Sequence, residues 1–161
     1  MLDVVIFNVL ACNTDAHAKN YSIMIRAGAP SVAPMYDVMC GGVWETVTKN
    51  LAQKIAGEGR GDHLKGSHWQ RFARDCGLNP KQVIDRVGAM AKSLIAETGA
   101  AESDVEAMPA GGHCILGQTR QAVEQRARAV LAQLQELEGA SVAGAQTIWF
   151  SAGHEIPVAT R

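Results

Sequence analysis

The chain has 161 residues, the size of one ordinary domain, and 47% of them are hydrophobic, enough to bury a real core. Lys and Arg number 15 against 16 Asp and Glu, so no overall field draws the protein onto nucleic acid or an anionic membrane. The four cysteines, Cys12, Cys40, Cys76 and Cys114, are widely spaced and form no C-x-x-C pair. That argues against a zinc ribbon or a dithiol redox site and fits free thiols in a reducing cytosol.

The N-terminal stretch MLDVVIFNVLACNTD carries Asp3 and lacks the basic region and small-residue cleavage site of a signal peptide. It also falls short of the roughly 18 consecutive apolar residues that a membrane span needs. The expectation is a soluble, cytoplasmic protein. Leu2, Val5, Ile6, Val9 and Leu10 recur at helical spacing, which predicts a helix to about Ala11 with one core-facing side. Asn13, Thr14 and Asp15 bond their own backbone in turns, so the chain leaves the helix there and enters a polar loop.

Tyr21–Ile25 is a short apolar run, Gly28-Ala29-Pro30 breaks it, and Ser31–Val38 resumes an extended pattern. This predicts a two-stranded ribbon whose second arm delivers Tyr36-Asp37-Val38. Gly41-Gly42 then loosens the chain before a weakly patterned stretch from Thr46 to Gly57, and GEGRGDHLKG reads as an exposed loop. Three helices follow, over Ser67–Cys76, Pro80 to about Thr98, and Gln118 to about Glu138. Asn79 is the N-cap of the second and Pro80 its first residue. The apolar faces are Val83, Ile84, Val87, Met90, Ala91, Leu94 and Ile95 on the second, and Val123, Val130, Leu134 and Leu137 on the third. Residues 99–117, rich in Gly, Ala and acids, read as a flexible connection, and 139–161 as a tail with one apolar cluster, Ile148-Trp149-Phe150.

Phosphoryl transfer to a hydroxyl needs a carboxylate that takes the hydroxyl proton and oxygen ligands that hold Mg²⁺ against nucleotide phosphates. In protein kinases the catalytic-loop Asp precedes a metal-binding Asn by five positions, and a second metal-binding Asp follows on a later segment. Asp15, Asn20 and Asp37 reproduce that order and spacing. The bland readings stand beside it: Asp15 and Asn20 as turn caps, Asp37 as a strand-end turn residue, His17 as a structural imidazole and Lys19 as a solvated lysine. The basic residues Lys49, Lys54, Arg60 and Lys65 read as a solvated cationic edge.

The run FNVLACNTDAHAKNYSIMI, followed after a break by APMYDV, resembles the HipA-like family of bacterial serine/threonine kinase toxins. There a helix ends in a loop of the form N-x-D-x-H-x-K-N and a later Asp sits in a Tyr-Asp pair. LAQKIAG (51–57) resembles a family segment that follows the Tyr-Asp pair and reads structurally as a brace for the loop, and the resemblance continues loosely through Trp69–Ala73 and Cys76-Gly77-Leu78. It implies Asp15 as catalytic base, Asn20 and Asp37 as Mg²⁺ ligands, and His17 and Lys19 beside the phosphate of ATP. It implies a mainly α-helical fold with a small β ribbon, like the larger, C-terminal lobe of a protein kinase, comprising residues 1–98 and the helix at 118–138.

A kinase also needs a lobe whose glycine-containing loop and strand lysine cover the phosphates. The sequence has neither upstream of the first helix, so the expectation is a C-lobe without its N-lobe, incomplete for catalysis alone. Implied partners are a protein substrate, a DNA-binding antitoxin or a separate N-lobe chain, with self-association through exposed apolar surface and no direct contact to nucleic acid or membrane. Two alternatives stay open: a non-catalytic interaction module that binds an antitoxin or kinase subunit, and a metal-dependent hydrolase using Asp15, His17 and Asp37.

Overall fold

A computed structural model of the protein describes residues 1–151. Helix α1 (Leu2–Leu10) is followed by a 3-10 turn at Ala18–Asn20 and a minimal antiparallel ribbon of β1 (Ile23–Met24) and β2 (Ser31–Val32). A second 3-10 turn at Gly41–Val43 leads to a hairpin of β3 (Asn50–Ile55) and β4 (Glu58–Arg60). Then come α2 (Gly66–Asp75), α3 (Pro80–Glu106) and α4 (Ile115–Ser151). The fold is thus mostly helical, as the sequence implied, with two small antiparallel sheets where one ribbon was expected. No helix among the described residues is long and apolar enough to cross a membrane.

The core is the meeting of the four helices. Ile6, Val9 and Leu10 of α1, Trp69 and Ala73 of α2, Val83, Val87 and Ala91 of α3, and Ala127, Val130 and Leu134 of α4 are all buried in it. Those of α1, α3 and α4 lie on the faces that the helical spacing marks, with Ala127 added because a methyl lets α4 approach closely. Ile55 and Leu64 enter the same cluster from the hairpin side. Trp69 packs edge-on against Phe72, ring centres 6.1 Å apart and planes at 84°. Asn79 caps α3 by accepting the Gln82 N–H at 3.2 Å.

Helix α1 ends in a Schellman closure. The Asn13 N–H donates to the Asn8 carbonyl at 2.8 Å and the Cys12 N–H to the Val9 carbonyl at 3.3 Å. Such a closure puts one residue in the left-handed region, here Cys12 at φ 56°, where glycine is the residue without steric cost.

Four expectations need correction. Asp37 is not on a ribbon arm: β2 stops at Val32, and Asp37 lies in irregular chain at φ 56°, a conformation that Asp tolerates better than most side chains. The stretch through Gly57 and the start of GEGRGDHLKG is a hairpin, with Ala56 (φ 50°) and Gly57 (φ 88°) forming its two-residue turn. Leu51, Gln53 and the buried Ile55 face inward from β3, and Gly61 and Leu64 are buried where a loop in solvent was expected.

The connection after Thr98 is shorter than 99–117, because α3 runs on to Glu106. Ala and Glu favour helix there, Gly99 stands in open space, and Thr98 and Glu102 bond across to Glu124 and Arg120 of α4 at 3.1 and 2.7 Å. Helix α4 likewise begins at Ile115 and extends past Glu138 to Ser151, through helix-favouring Ala140, Ala143 and Ala145. The cluster Ile148-Trp149-Phe150 falls on its last turns, with side chains outside those described, and residues 152–161 lie outside the described residues.

Candidate active site

Two buried asparagines organise the loop after α1. Asn8, on the inward side of the helix and 7% exposed, accepts the Asn13 amide at 2.9 Å and donates to the Tyr21 hydroxyl at 3.0 Å. Asn13, 2% exposed, uses its side-chain oxygen to accept the Asp15 N–H at 3.0 Å. The loop is thus fastened to the helix below it by side chains rather than by a ladder. Sequence reasoning overlooked Asn8; the signal was a polar residue placed among the inward positions of an apolar helix.

Asp15 stands half-buried at the top of this network. The imidazole Nε2 of His17 lies 3.2 Å from an Asp15 carboxylate oxygen, and the His17 N–H closes the turn onto the Asp15 carbonyl at 2.7 Å. Asn20 reaches in two directions. Its amide donates to the Asp15 carbonyl at 3.0 Å and to the Asp37 carboxylate at 3.3 Å, across 17 residues of sequence. Asp15, His17, Asn20 and Asp37 are therefore gathered at one place. Lys19 sits on the same turn with an exposed side chain, and its carbonyl accepts the Tyr36 hydroxyl at 3.1 Å. Tyr36 also meets Ser22 at 2.8 Å, so the residue before Asp37 ties that segment to the loop.

With its two N–H groups spent on Asp15 and Asp37, Asn20 keeps its side-chain oxygen without a protein donor among the described residues, as Asp37 keeps its second oxygen. Two adjacent hard oxygen donors suit Mg²⁺ that arrives with nucleotide phosphates, since that ion takes one or two protein ligands and completes its shell from phosphate and water.

Surrounding elements hold this arrangement. Leu51, Ala52, Gln53 and Ile55 of β3 share the walls of a small cavity with Asn8 and Asn13, which puts the hairpin under the loop. The segment after Asp37 is pinned by an antiparallel bridge between Asn13 and Cys40 and by the Gly41 N–H donating to the Cys12 carbonyl at 2.9 Å. Lys49, expected on a solvated cationic edge, donates instead to the carbonyls of Gly41, Gly42 and Trp44 at 3.0, 3.4 and 2.7 Å. Its ammonium satisfies the end of a 3-10 turn. Arg60 is likewise engaged, paired with Asp62 at 2.6 Å.

A helical lobe with short ribbons, whose first helix ends in an Asp- and Asn-bearing loop facing a second Asp, defines a kinase-like fold class. Residues 1–98 match the profile of the HipA-like C-terminal domain, and the chain belongs to that family. It is 31% identical over 87 residues to the putative kinase Y4mE of Sinorhizobium fredii, covering 54% of this chain and 21% of that protein. It is 28% identical over 94 residues to the serine/threonine-protein kinase toxin HipA of Shewanella oneidensis, covering 58% of this chain and 22% of that one. The chain thus spans about a fifth of the length of the curated relatives it matches. Its fold is similar, with a TM-score of 0.73 and 22% identity, to a chain in the Shewanella oneidensis MR-1 toxin–antitoxin complex of HipA, HipB and operator DNA. That likeness covers 84% of this chain and 32% of the other.

Proposed function

We propose that the loop Asn13–Asn20 and Asp37 form the phosphotransfer centre of a serine/threonine protein kinase that moves the γ-phosphate of ATP to a protein hydroxyl. The observation that supports this reading is the Asn20 amide joining the Asp15 turn to Asp37, which sets a carboxylate base beside a pair of metal-binding oxygens. Asp15 accepts the proton of the attacking hydroxyl, and Asn20 and Asp37 hold Mg²⁺. The bound ion supplies charge neutralisation at the phosphates. His17 orients the Asp15 carboxylate, and with Lys19 it stands at the mouth of the loop, in reach of phosphate oxygens.

Phosphoryl transfer draws on charges converging from both sides of the nucleotide, so this reading gives the other wall to a second lobe. Ile23, Ile25, Met35, Val38 and Trp44 are exposed around the site, Ile25 at 92%, and such apolar area supports a partner surface there. By analogy with the relatives, a DNA-binding antitoxin is the regulatory partner.

The test is Asp15→Asn in the kinase assembled with its second lobe. Phosphotransfer to a protein substrate should fall by about 10²–10⁴-fold, the share that a positioned base supplies. Retention of activity would overturn the assignment. Absence of phosphotransfer from the unsubstituted assembly would favour the second reading, a non-catalytic module whose exposed apolar surface binds a partner.

A further inference from the structure

Cys12 and Cys40, far apart in sequence, meet beside the catalytic loop. The Asn13–Cys40 bridge and the Gly41 to Cys12 hydrogen bond at 2.9 Å make their backbones antiparallel neighbours. Backbones paired in this way lie about 4.5–5.5 Å apart, and although residues offset by one point to opposite faces of a regular ladder, Cys12 stands in the left-handed region at φ 56°, where that alternation is broken. The two thiols act on each other, and the Cys12 thiol also reaches the Leu10 and Ala122 carbonyls at 3.9 Å. Gly42 closes over Cys12: a β-carbon there would stand 3.3 Å from the Cys12 β-carbon and 3.5 Å from its sulfur.

The surroundings favour chemistry at Cys12. Its side chain lines a cavity of about 460 Å³ with Lys49, Arg60 and Arg126, which gives a small oxidant a path to a residue otherwise only 7% exposed. The neighbouring Cys40 thiol holds the Cys12 thiol down to about 6, with Arg126 and Lys49 adding to it and burial opposing. Cys40 is pushed up by the same contact, so one sulfur is a nucleophile and the other keeps its proton. Cys12 also occupies the left-handed position of a Schellman closure, which a glycine would fill without cost.

We propose that Cys12 and Cys40 are a hydroperoxide-sensitive dithiol that closes reversibly to a disulfide and so ties the Asp15 loop to the segment carrying Asp37. The Cys12 thiolate attacks the peroxide oxygen; the O–O bond breaks, the hydroxide released takes a proton, and Cys12 becomes a sulfenic acid. The Cys40 sulfur then attacks the Cys12 sulfur, the S–O bond breaks, and the Cys40 proton leaves with the hydroxyl as water. Two thiols and one peroxide give one disulfide and two waters. The bond cannot be anticipated from spacing, since no C-x-x-C motif announces it.

The exposed Cys76 and Cys114 are first replaced by serine, leaving the pair untouched in the full chain. Hydrogen peroxide is added, remaining thiols are capped with N-ethylmaleimide, and the intact mass is measured. The expected product has lost two hydrogens, carries no maleimide, yields a linked Cys12–Cys40 peptide, and recovers two maleimide sites after dithiothreitol. In urea closure should slow, because unfolding removes both the proximity and the thiolate. Adding Cys40→Ser should stop the reaction at a sulfenic acid on Cys12, trapped by dimedone. Persistence of both free thiols, oxygen addition without a link, or equally fast closure in urea would overturn the proposal. The doubly substituted parent decides the matter if the Cys40→Ser chain does not fold.

Discussion

Replacing Asn8 by Ala tests whether the Asp15 loop is held by the two asparagines beneath it. The substitution removes the acceptor of the Asn13 amide and the donor to Tyr21, both at about hydrogen-bond optimum in the native chain (2.9 and 3.0 Å). Tyr21 is half-buried, so water recovers most of its bond, and that loss is about 0.5–1 kcal/mol. Asn13 is only 2% exposed. Its orphaned N–H therefore keeps a desolvation penalty of about 1–3 kcal/mol. Ala returns about 0.5 kcal/mol of helix propensity within α1, leaving a net destabilisation of about 1–3.5 kcal/mol.

Urea unfolding followed by circular dichroism measures this as a lowered midpoint at constant slope. Tyr21→Phe serves as the control, costing less because it leaves the Asn8–Asn13 bond in place. Hydrogen exchange at the Asp15 amide should quicken in the Asn8→Ala chain, since Asn13 loses the tether that aims its oxygen at that N–H. An Asn8→Ala midpoint no lower than that of Tyr21→Phe, with Asp15 exchange unchanged, would refute the view that this network positions the loop.

Gly66→Ala should destabilise the chain by about 1–3 kcal/mol through overpacking. The new β-carbon would stand 2.8 Å from the Leu137 methyl and 3.0 Å from its β-carbon, where α2 starts against α4, and thermal unfolding measures the loss. Ala56→Asn should stabilise by about 0.5–1 kcal/mol, because Asn accepts the φ of 50° that Ala56 holds in the hairpin turn. No gain in the urea midpoint would count against that turn.

Asp3 lies below the ordinary aspartate range because Arg86 bonds it at 2.7 and 2.8 Å. Its folded value is depressed, so the pair's contribution is present above the ordinary range and is lost as pH falls through the folded value. A double-mutant cycle of Asp3→Asn and Arg86→Gln should therefore show a small, salt-sensitive coupling at neutral pH that fades in acid, as befits an exposed pair.

Much of the helical framework was legible. The inward residues of α1, the Asn79 cap and Pro80 start of α3, and the Val83–Ile95 face declare themselves through contacts three and four residues apart. The hairpin of β3 and β4 was not, because its turn reads Ala56-Gly57 instead of the Asn-Gly or Asp-Gly that advertises such a turn. Lys49 looked like a solvated lysine because nothing in a sequence shows three carbonyls converging on an ammonium. The extension of α3 to Glu106 was hidden by Gly99, whose cost cross-helix bonds to Arg120 and Glu124 offset.

By itself the sequence determined that a helix would end in an Asn-, Asp-, His- and Lys-bearing loop and that a later Asp would follow in a Tyr-Asp pair, since helices and turns are written in neighbouring residues. Tertiary structure decided which of these meet. The Asn20–Asp37 bond and the approach of Cys12 to Cys40 both depend on the path the chain takes after Val32. That path is set by packing of Gly41 and Gly42 against Thr14 and Ala122 of distant segments, and by Lys49 closing the turn. Contacts between residues far apart in the chain leave no periodicity to read, because they are selected by the shape of the assembled core.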